Sequence, residues 1–283
     1  MSGNVIALFD GTFDGFLCIV YEHFYNKITP ILIQEIGREQ PSLTDEFYRI
    51  ETDSSHAARV FKGIGDKISN EAADRIYRAF LSGEDDKNMT IFRYILLGFK
   101  VGKLLDNHLK EDCVRGVHQL AKRVGGEAHL LKGFSRFVET DSGVMYCEIT
   151  PKNDVLEMVA SHFTRRLMNL KWVIHDKRRG KAAIYDTESV IVADVPNDIS
   201  INYAEGEAEI QELWVAFFHS LSIKARENPK LQRQMLPLYF RKNMTEFQHG
   251  LKAVKARASQ RKITNSEQGT EATTIGLPEN VME

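Results

Sequence analysis

The spacing of apolar residues changes near the middle of the chain, and this change constrains the fold more than any other feature. Between Ser54 and Val124, apolar side chains recur every three or four residues, which is typical of amphipathic helices. After Gly126 they come in short runs that partly alternate with polar residues, as in strands. We therefore predict an α+β protein, with a helix-rich N-terminal half and a C-terminal half built on a small, mainly antiparallel sheet flanked by helices.

The composition predicts how these halves divide the chain. With 43% hydrophobic residues, the 283-residue chain can bury a large core. Residues 255–283 have few large apolar side chains and many Ser, Thr, Gln and Glu, which is typical of disorder. We predict a helix-rich part over residues 1–126, an α+β part with a basic hairpin over 127–254, and a disordered tail over 255–283.

The first half is predicted to start with a buried strand at residues 5–9, followed by a helix that Thr12 caps. A second strand is expected at 47–52. Further helices are expected at residues 54–60, 70–81, 89–109 and 112–124. Gly98 and Gly102 in the long helix indicate close packing.

The second half is predicted to contain five strands and two helices. The strands are expected at residues 134–138, 144–149, 172–175, 182–185 and 190–193, and the helices at 155–167 and 207–226. The first two strands are expected to pair around a turn that contains Gly143.

The segment of residues 172–185 is densely cationic and has an aromatic residue at each end. Arginine pairs well with phosphate and aromatic rings stack on bases, so this composition favours nucleic-acid binding. A solvated hairpin tip is the alternative. The predicted nucleic-acid-binding residues are Trp172, Lys177, Arg178, Arg179 and Tyr185 in this segment, and Lys132, Arg136, Arg165 and Arg166 outside it.

Two groups in this half are candidates for acid–base chemistry. Glu127 and His129 are expected to lie with Lys132 and Arg136 near the entrance of the strand at 134–138, as a phosphate or proton-transfer site or as a structural salt-bridge network. His175 and Asp176 form a second pair. Because neighbouring residues on a strand face opposite sides, direct catalysis by that pair is disfavoured.

Two motifs in the first half have a functional and a structural interpretation. Asp10 and Asp14 follow a buried strand, where carboxylates can bind a metal or act as acid and base. Alternatively, Asp10 caps a turn and Asp14 interacts with the helix dipole. Gly63 and Gly65 resemble a GxG hairpin that binds DNA phosphate, or form a tight turn.

Several classes of protein are excluded by missing motifs. The sequence has no glycine-rich phosphate loop, no CxxC pair and no HExxH motif. Cys18, Cys113 and Cys147 are too far apart for a three-thiolate cluster, so we predict no metal and no cofactor for this chain itself.

With these isolated thiols, no signal peptide and no apolar run long enough for a bilayer, the protein is expected to be cytoplasmic, without membrane contact.

Four motifs together resemble one family. They are DGTFDGFL (10–17), EAHLLKGFSRF (127–137), HFTRRL with WVIHDKRRGKAAIYD (162–186) and NPKLQRQMLPLYF (228–240). The family consists of bacterial DNA-metabolism or DNA-repair proteins with a domain of unknown function, encoded beside a radical-SAM protein and sometimes fused to a uracil-DNA glycosylase. The resemblance covers about residues 5–247 and implies DNA and a radical-SAM protein as partners. The GxG motif is not among the shared motifs. Unlike the fused members, this sequence is expected to have no glycosylase domain after Phe247.

Three functions are consistent with these patterns. The first is a nucleic-acid-binding accessory subunit that positions a substrate for a radical-SAM partner. The second is an enzyme that acts directly on damaged nucleic acid. The third is a scaffold whose aromatic helix around Trp214 and Phe218 binds a protein. For the enzyme, the catalytic candidates are Asp10, Asp14, Glu127, His129, His175 and Asp176.

Overall fold

The computed structural model describes residues 5–37 and 46–247, except for the side chain of Lys224. The chain divides into two compact units, Met1–Glu127 and Ala128–Glu283. The tail predicted at 255–283 lies outside the described residues. Within the described ranges, no helix is long and apolar enough to cross a membrane.

The first unit contains a three-stranded parallel sheet. The central strand β1 (Val5–Phe9) lies between β2 (Leu32–Glu35) and β3 (Glu46–Arg49). Four of the five residues of β1 are buried, as expected for a central parallel strand. The strand predicted at residues 5–9 is therefore confirmed.

Five helices follow or flank this sheet, and polar caps define where several of them begin. They are α1 (Phe13–Tyr25), α2 (Ser54–Lys67), α3 (Asn70–Phe80), α4 (Lys87–Val101) and α5 (Asp112–Phe134). The hydroxyl of Thr12 accepts a hydrogen bond from the backbone N–H of Gly15 at 3.0 Å, which confirms the predicted cap of α1. Asp53 and Ser69 cap α2 and α3 in the same way.

The predicted helix over residues 89–109 is shorter than expected. Helix α4 ends at Val101 because Gly102 has φ +64°, and a 3-10 helix, Gly102–Asn107, follows. The close packing predicted at Gly98 is confirmed, since a Cβ there would lie 2.4 Å from Cδ1 of Ile68.

The GxG motif forms neither a hairpin nor a turn. Gly63 and Gly65 both lie inside α2. A Cβ at Gly65 would lie 2.9 Å from Oδ1 of Asn70, so the glycine allows α2 and the start of α3 to approach. Tertiary packing here overrides the low helix propensity of glycine.

The second unit contains the predicted small, mainly antiparallel sheet. Its five strands, in spatial order, are β4 (Val138–Glu139), β5 (Met145–Ile149), β6 (Trp172–Asp176), β7 (Lys181–Tyr185) and β8 (Val190–Asp194). Only β5 and β6 are parallel, and α6 (Leu156–Arg166) forms the crossover that parallel neighbours require. The α+β class and the strands predicted at 144–149, 172–175, 182–185 and 190–193 are confirmed.

The predicted strand at residues 134–138 is wrong. Helix α5 continues to Phe134, and only Val138–Glu139 pairs with β5. Gly125, Gly126 and Gly133 do not interrupt this helix. The argument that Phe134, Arg136 and Val138 share one face of a strand therefore fails.

The remaining described chain is helical but broken. The helix predicted at 207–226 ends earlier, as α7 (Glu207–Ser220), and a 3-10 helix, Lys224–Arg226, follows. It is followed by α8 (Pro229–Met235) and by two further 3-10 helices, Phe240–Asn243 and Thr245–Phe247.

Candidate nucleic-acid interface

The turn between β6 and β7 is organised around the buried carboxylate of Asp176. One of its oxygens accepts the backbone N–H groups of Arg178 at 2.9 Å and Arg179 at 3.3 Å. The other accepts Nη1 of Arg179 at 2.9 Å. Burial raises the pKa of Asp176, although Arg179 and the backbone donors oppose that rise. Asp176 thus fixes the turn and is not exposed to a substrate.

The guanidinium group of Arg179 is held by the protein itself. Besides Asp176, it donates to the carbonyl oxygens of Pro151 at 3.3 Å and Lys152 at 2.9 Å, and it lies 3.8 Å from the carboxylate of Asp154. Only 20% of its side chain is exposed. These contacts assign Arg179 a structural role, whereas the sequence predicted a phosphate contact.

The neighbours of Arg179 differ in exposure. Nζ of Lys177 lies 3.8 Å from Glu148 and donates to the carbonyl oxygen of Asn197. Arg178 is exposed. The turn therefore presents fewer available cations than its sequence suggests.

The two aromatic residues of the hairpin are buried, which corrects the expectation that they stack on bases. The rings of Trp172 and Tyr185 stack on each other, with centroids 5.1 Å apart. The hydroxyl of Tyr185 lies 2.8 Å from the carbonyl oxygen of Thr187 and 3.2 Å from that of Met168, so it has an acceptor inside the protein. The alternation of the strand points both rings into the core, so neither face is open to a ligand.

His175 is also fully buried. Its Nδ1 and the hydroxyl of Tyr146 are hydrogen-bonded at 2.8 Å, and that hydroxyl donates to Glu148 at 3.3 Å. Burial lowers the pKa of His175, and the positive charge of Lys177 lowers it further. A neutral histidine inside a sheet supports the fold, and its burial prevents contact with a substrate in this conformation.

Arg136 forms a second internal ion pair. It donates two hydrogen bonds to Glu246, at 3.1 and 2.6 Å, and its guanidinium carbon lies 5.2 Å from the ring centre of Trp214. The side chain of Glu246 is almost fully buried. Burial raises the pKa of Glu246, but the hydrogen bonds from Arg136 and Trp214 outweigh it, so the pKa is lowered overall.

The group predicted around the strand at 134–138 lies instead on helix α5 and just after it. Glu127 is buried and His129 is exposed. Two positions apart on a helix, they do not face each other, so Glu127 cannot orient His129 as we expected. Arg136 is committed to Glu246. Lys132 remains partly exposed.

Lys132 joins a group at the end of α6 that we call the cationic cluster: Lys132, His162, Arg165 and Arg166. Arg165 and Arg166 are exposed in the last turn of the helix. Among the described residues, neither guanidinium group has a hydrogen-bonding or ion-pair partner. Burial lowers the pKa of His162, and the three nearby cations lower it further. The cluster is thus a local region of positive potential.

One known family matches the part of the chain that contains these residues. The sequence model of a domain of unknown function, DUF4130, matches residues 85–246, more than half of the chain. The chain belongs to the DUF4130 family. A search of curated proteins gives no match. This match confirms one part of the resemblance predicted from the motifs, namely that the chain contains a domain of unknown function shared by a family.

The DUF4130 region contains the hairpin and the cationic cluster, whereas Asp10 and Asp14 lie outside it. The carboxylate of Asp10 accepts hydrogen bonds from the backbone and hydroxyl of Thr12 at 2.9 and 2.6 Å, and from the hydroxyl of Thr52 at 2.8 Å. Burial raises its pKa, but these hydrogen bonds outweigh that effect and lower it overall. Asp14 lies in the first turn of α1. Capping accounts for both carboxylates, and in the described ranges no three potential ligands are grouped for a metal.

One polar network in the first unit was not found from the sequence. Asp106 accepts hydrogen bonds from Arg75 at 2.8 Å and Tyr94 at 2.8 Å, and lies 3.0 Å from Nε2 of His118. Burial raises the pKa of Asp106, but these partners outweigh it and lower the pKa overall. Up to 31 positions separate the paired residues, so no local motif could reveal them. With both carboxylate oxygens bonded, the network stabilises helix packing.

Proposed function

We propose that this DUF4130 protein binds DNA as an accessory subunit in DNA repair or modification and positions its substrate for a radical-SAM partner. The observation that supports DNA binding is the cationic cluster, because its two arginines are exposed and have no partner among the residues that the structure describes. The repair context and the radical-SAM partner are suggested by the sequence motifs.

The cationic cluster has the side chains needed to bind phosphate groups. Each guanidinium group can form two parallel hydrogen bonds with one phosphate. Adjacent residues Arg165 and Arg166, with Lys132 nearby, can neutralise successive phosphates of one strand. Contacts of this kind fix position on DNA without reading its sequence.

The test is the salt dependence of DNA binding. We expect the double variant Arg165→Ala/Arg166→Ala to bind a fluorescent DNA duplex about tenfold or more weakly and to reduce the slope of log K against log salt by about 2, roughly one unit per lost phosphate contact. Fluorescence anisotropy at several salt concentrations measures both quantities.

The matched control is Lys230→Ala/Arg233→Ala, which removes the same charge from exposed positions of α8 in the same unit. It should leave the slope close to that of the unchanged protein. Equal losses in both variants, or wild-type binding that does not depend on salt, would contradict the proposal.

A second candidate function, protein binding, is favoured by helix α7. Ile210, Leu213, Phe217 and Leu221 recur at helical spacing and are exposed, with 71% of Leu213 and 53% of Phe217 accessible. Contiguous exposed apolar stripes mark protein-binding sites. We infer that the radical-SAM protein is the occupant, because an accessory subunit needs a surface for its enzyme.

Co-purification with that partner tests the α7 stripe. Leu213→Asp/Phe217→Asp should reduce recovery of the complex about tenfold or more, since two anchors of an apolar contact become charged. Leu104→Asp, which changes a leucine of the first unit that is 60% exposed, should not. Undiminished recovery with the α7 variant refutes this function.

A further inference from the structure

The first unit contains a cavity that neither the DNA contact at the cationic cluster nor the α7 stripe uses. It has a volume of about 530 Å³ and is lined mainly by Tyr21, Phe24, Tyr25, Arg59, Lys67 and Phe99, from α1, α2 and α4. We call it the aromatic pocket. Its volume lies within the roughly 300–1,000 Å³ typical of small-molecule sites.

Aromatic rings form much of the lining. Tyr21 stacks on Tyr25, with centroids 4.2 Å apart, and on His56, at 3.8 Å. Phe24 meets Phe99 edge-on at 5.1 Å. Yet 38% of Phe24 and 51% of Tyr25 remain exposed. The partly exposed ring of Phe24 therefore provides a surface on which a planar ligand can lie, whereas Tyr25 is already stacked on Tyr21.

Cations outnumber carboxylates around these rings. The guanidinium group of Arg59 lies 5.1 Å from the ring centre of Tyr25, and Nζ of Lys67 lies 5.7 Å from that of Phe99. Asp66, the lining carboxylate, pairs with Lys62 at 2.7 Å. Arg59 and Lys67 therefore give the pocket a positive charge, which disfavours a cationic ligand and favours an anionic one.

The glycine at position 63 keeps part of the lining free of a side chain. Gly63 lines the pocket from the middle of α2, although glycine weakens a helix interior. A Cβ at this position would contact the ring of Phe99 at 3.7 Å, an ordinary van der Waals distance. A larger side chain could thus be accommodated by the fold but would occupy volume in the pocket.

We propose that the aromatic pocket binds one nucleotide of single-stranded DNA, with the base against the aromatic rings and the phosphate at Arg59 and Lys67. Base stacking on aromatic side chains together with cationic contacts to the backbone is the general mode of single-strand binding. The inference rests on the proposed function, and it specifies that an unpaired nucleotide forms part of the substrate.

The experiment uses the full chain and a single-stranded oligonucleotide that carries one 2-aminopurine, whose fluorescence decreases when it stacks on an aromatic ring. Anisotropy of a separate end label reports affinity. The unchanged protein should quench the 2-aminopurine. Phe24→Ala should relieve the quenching and weaken binding about fivefold or more. Arg59→Glu should weaken binding to a similar extent without removing a core side chain.

Two further variants separate pocket binding from general effects. Gly63→Leu should reduce quenching because it fills the pocket. Phe61→Ala is the matched control, since Phe61 is an exposed aromatic residue of the same helix that does not line the pocket. It should leave both signals unchanged.

The outcomes distinguish this inference from the proposed function. If the oligonucleotide binds and Arg165→Ala/Arg166→Ala weakens it, but Phe24→Ala, Arg59→Glu and Gly63→Leu all match the unchanged protein, the pocket inference is overturned and DNA binding stands. If the unchanged protein binds neither single-stranded nor duplex DNA, both are overturned. Quenching lost only in the pocket variants supports the inference.

Discussion

The turn between β6 and β7 and the end of helix α6 share one sequence feature but place it in different surroundings. Both carry an arginine doublet. In the turn, Arg179 contacts the buried Asp176 and two backbone carbonyl oxygens. At the end of α6, Arg165 and Arg166 are exposed, and their positive charges help to lower the pKa of His162.

This difference shows that the availability of a cation depends on the nearest buried carboxylate more than on the local density of charge. Asp176 is in the strand that leads into the turn, and Glu246 lies 110 positions after Arg136, its partner. Both carboxylates must be neutralised when they are buried, and arginine does so. In the part of the chain that the structure describes, no buried carboxylate pairs with the two arginines of helix α6, so they are available to an external anion.

The largest expected effect is on stability at the turn. Arg179→Ala should lower the free energy of unfolding by about 3 kcal/mol, because it leaves the buried Asp176 without its charged partner. Urea denaturation measures the change. Arg178→Ala, at an exposed position of the same turn, should alter it by less than about 0.5 kcal/mol. If both variants change the free energy of unfolding by equally small amounts, Arg179 does not stabilise the turn more than the exposed Arg178 does.

A smaller effect is expected from acidification. The pKa of His175 is lowered from its ordinary value of 6.5 in the folded state, so the unfolded chain takes up this proton first. The free energy of unfolding should therefore be at its full value above about pH 6.5 and decrease as the pH falls from there towards the folded pKa of His175. Denaturation at a series of pH values measures this dependence.

His175→Phe should remove much of this dependence of the free energy of unfolding on pH, since phenylalanine keeps an aromatic ring in the core but has no titratable nitrogen. His162→Gln is the comparison, because His162 is partly exposed and its shift depends on the cationic cluster. Asp176 has a raised pKa, so its protonation increases the free energy of unfolding as the pH falls. Both variants keep Asp176, so this contribution cancels when they are compared. If His175→Phe keeps the slope of the unchanged protein, the buried imidazole is not its source.

The sequence predicted most of the second sheet because its strands combine apolar alternation with clear turns. The start of β7 after Gly180 and the cap at Thr12 have local chemical causes, so they were predictable. The extension of α5 through Gly125, Gly126 and Gly133 was not, because the local preference of glycine predicts a break. Packing along the helix outweighs that preference, and a single sequence does not report packing.

The candidate site was predictable only in part. Residue type and spacing identified Arg165 and Arg166 as cations near an aromatic strand. They could not reveal that Arg136 and Arg179 bind distant or buried carboxylates, or that Trp172 faces the core. The Arg136–Glu246 pair spans 110 positions, and the burial of Asp176 and Trp172 depends on tertiary packing, which also assembles the aromatic pocket from three helices.

The pairing of Arg179 with Asp176 has a consequence for how this turn can evolve. Loss of the arginine leaves a buried charge, and loss of the aspartate leaves two backbone N–H groups and a guanidinium group without their acceptor. Either single substitution is therefore expected to destabilise the turn, which disfavours a change at one of the two positions alone. The fold therefore constrains the residue at position 179, whereas the exposed Arg165 and Arg166 can each be replaced with little loss of stability.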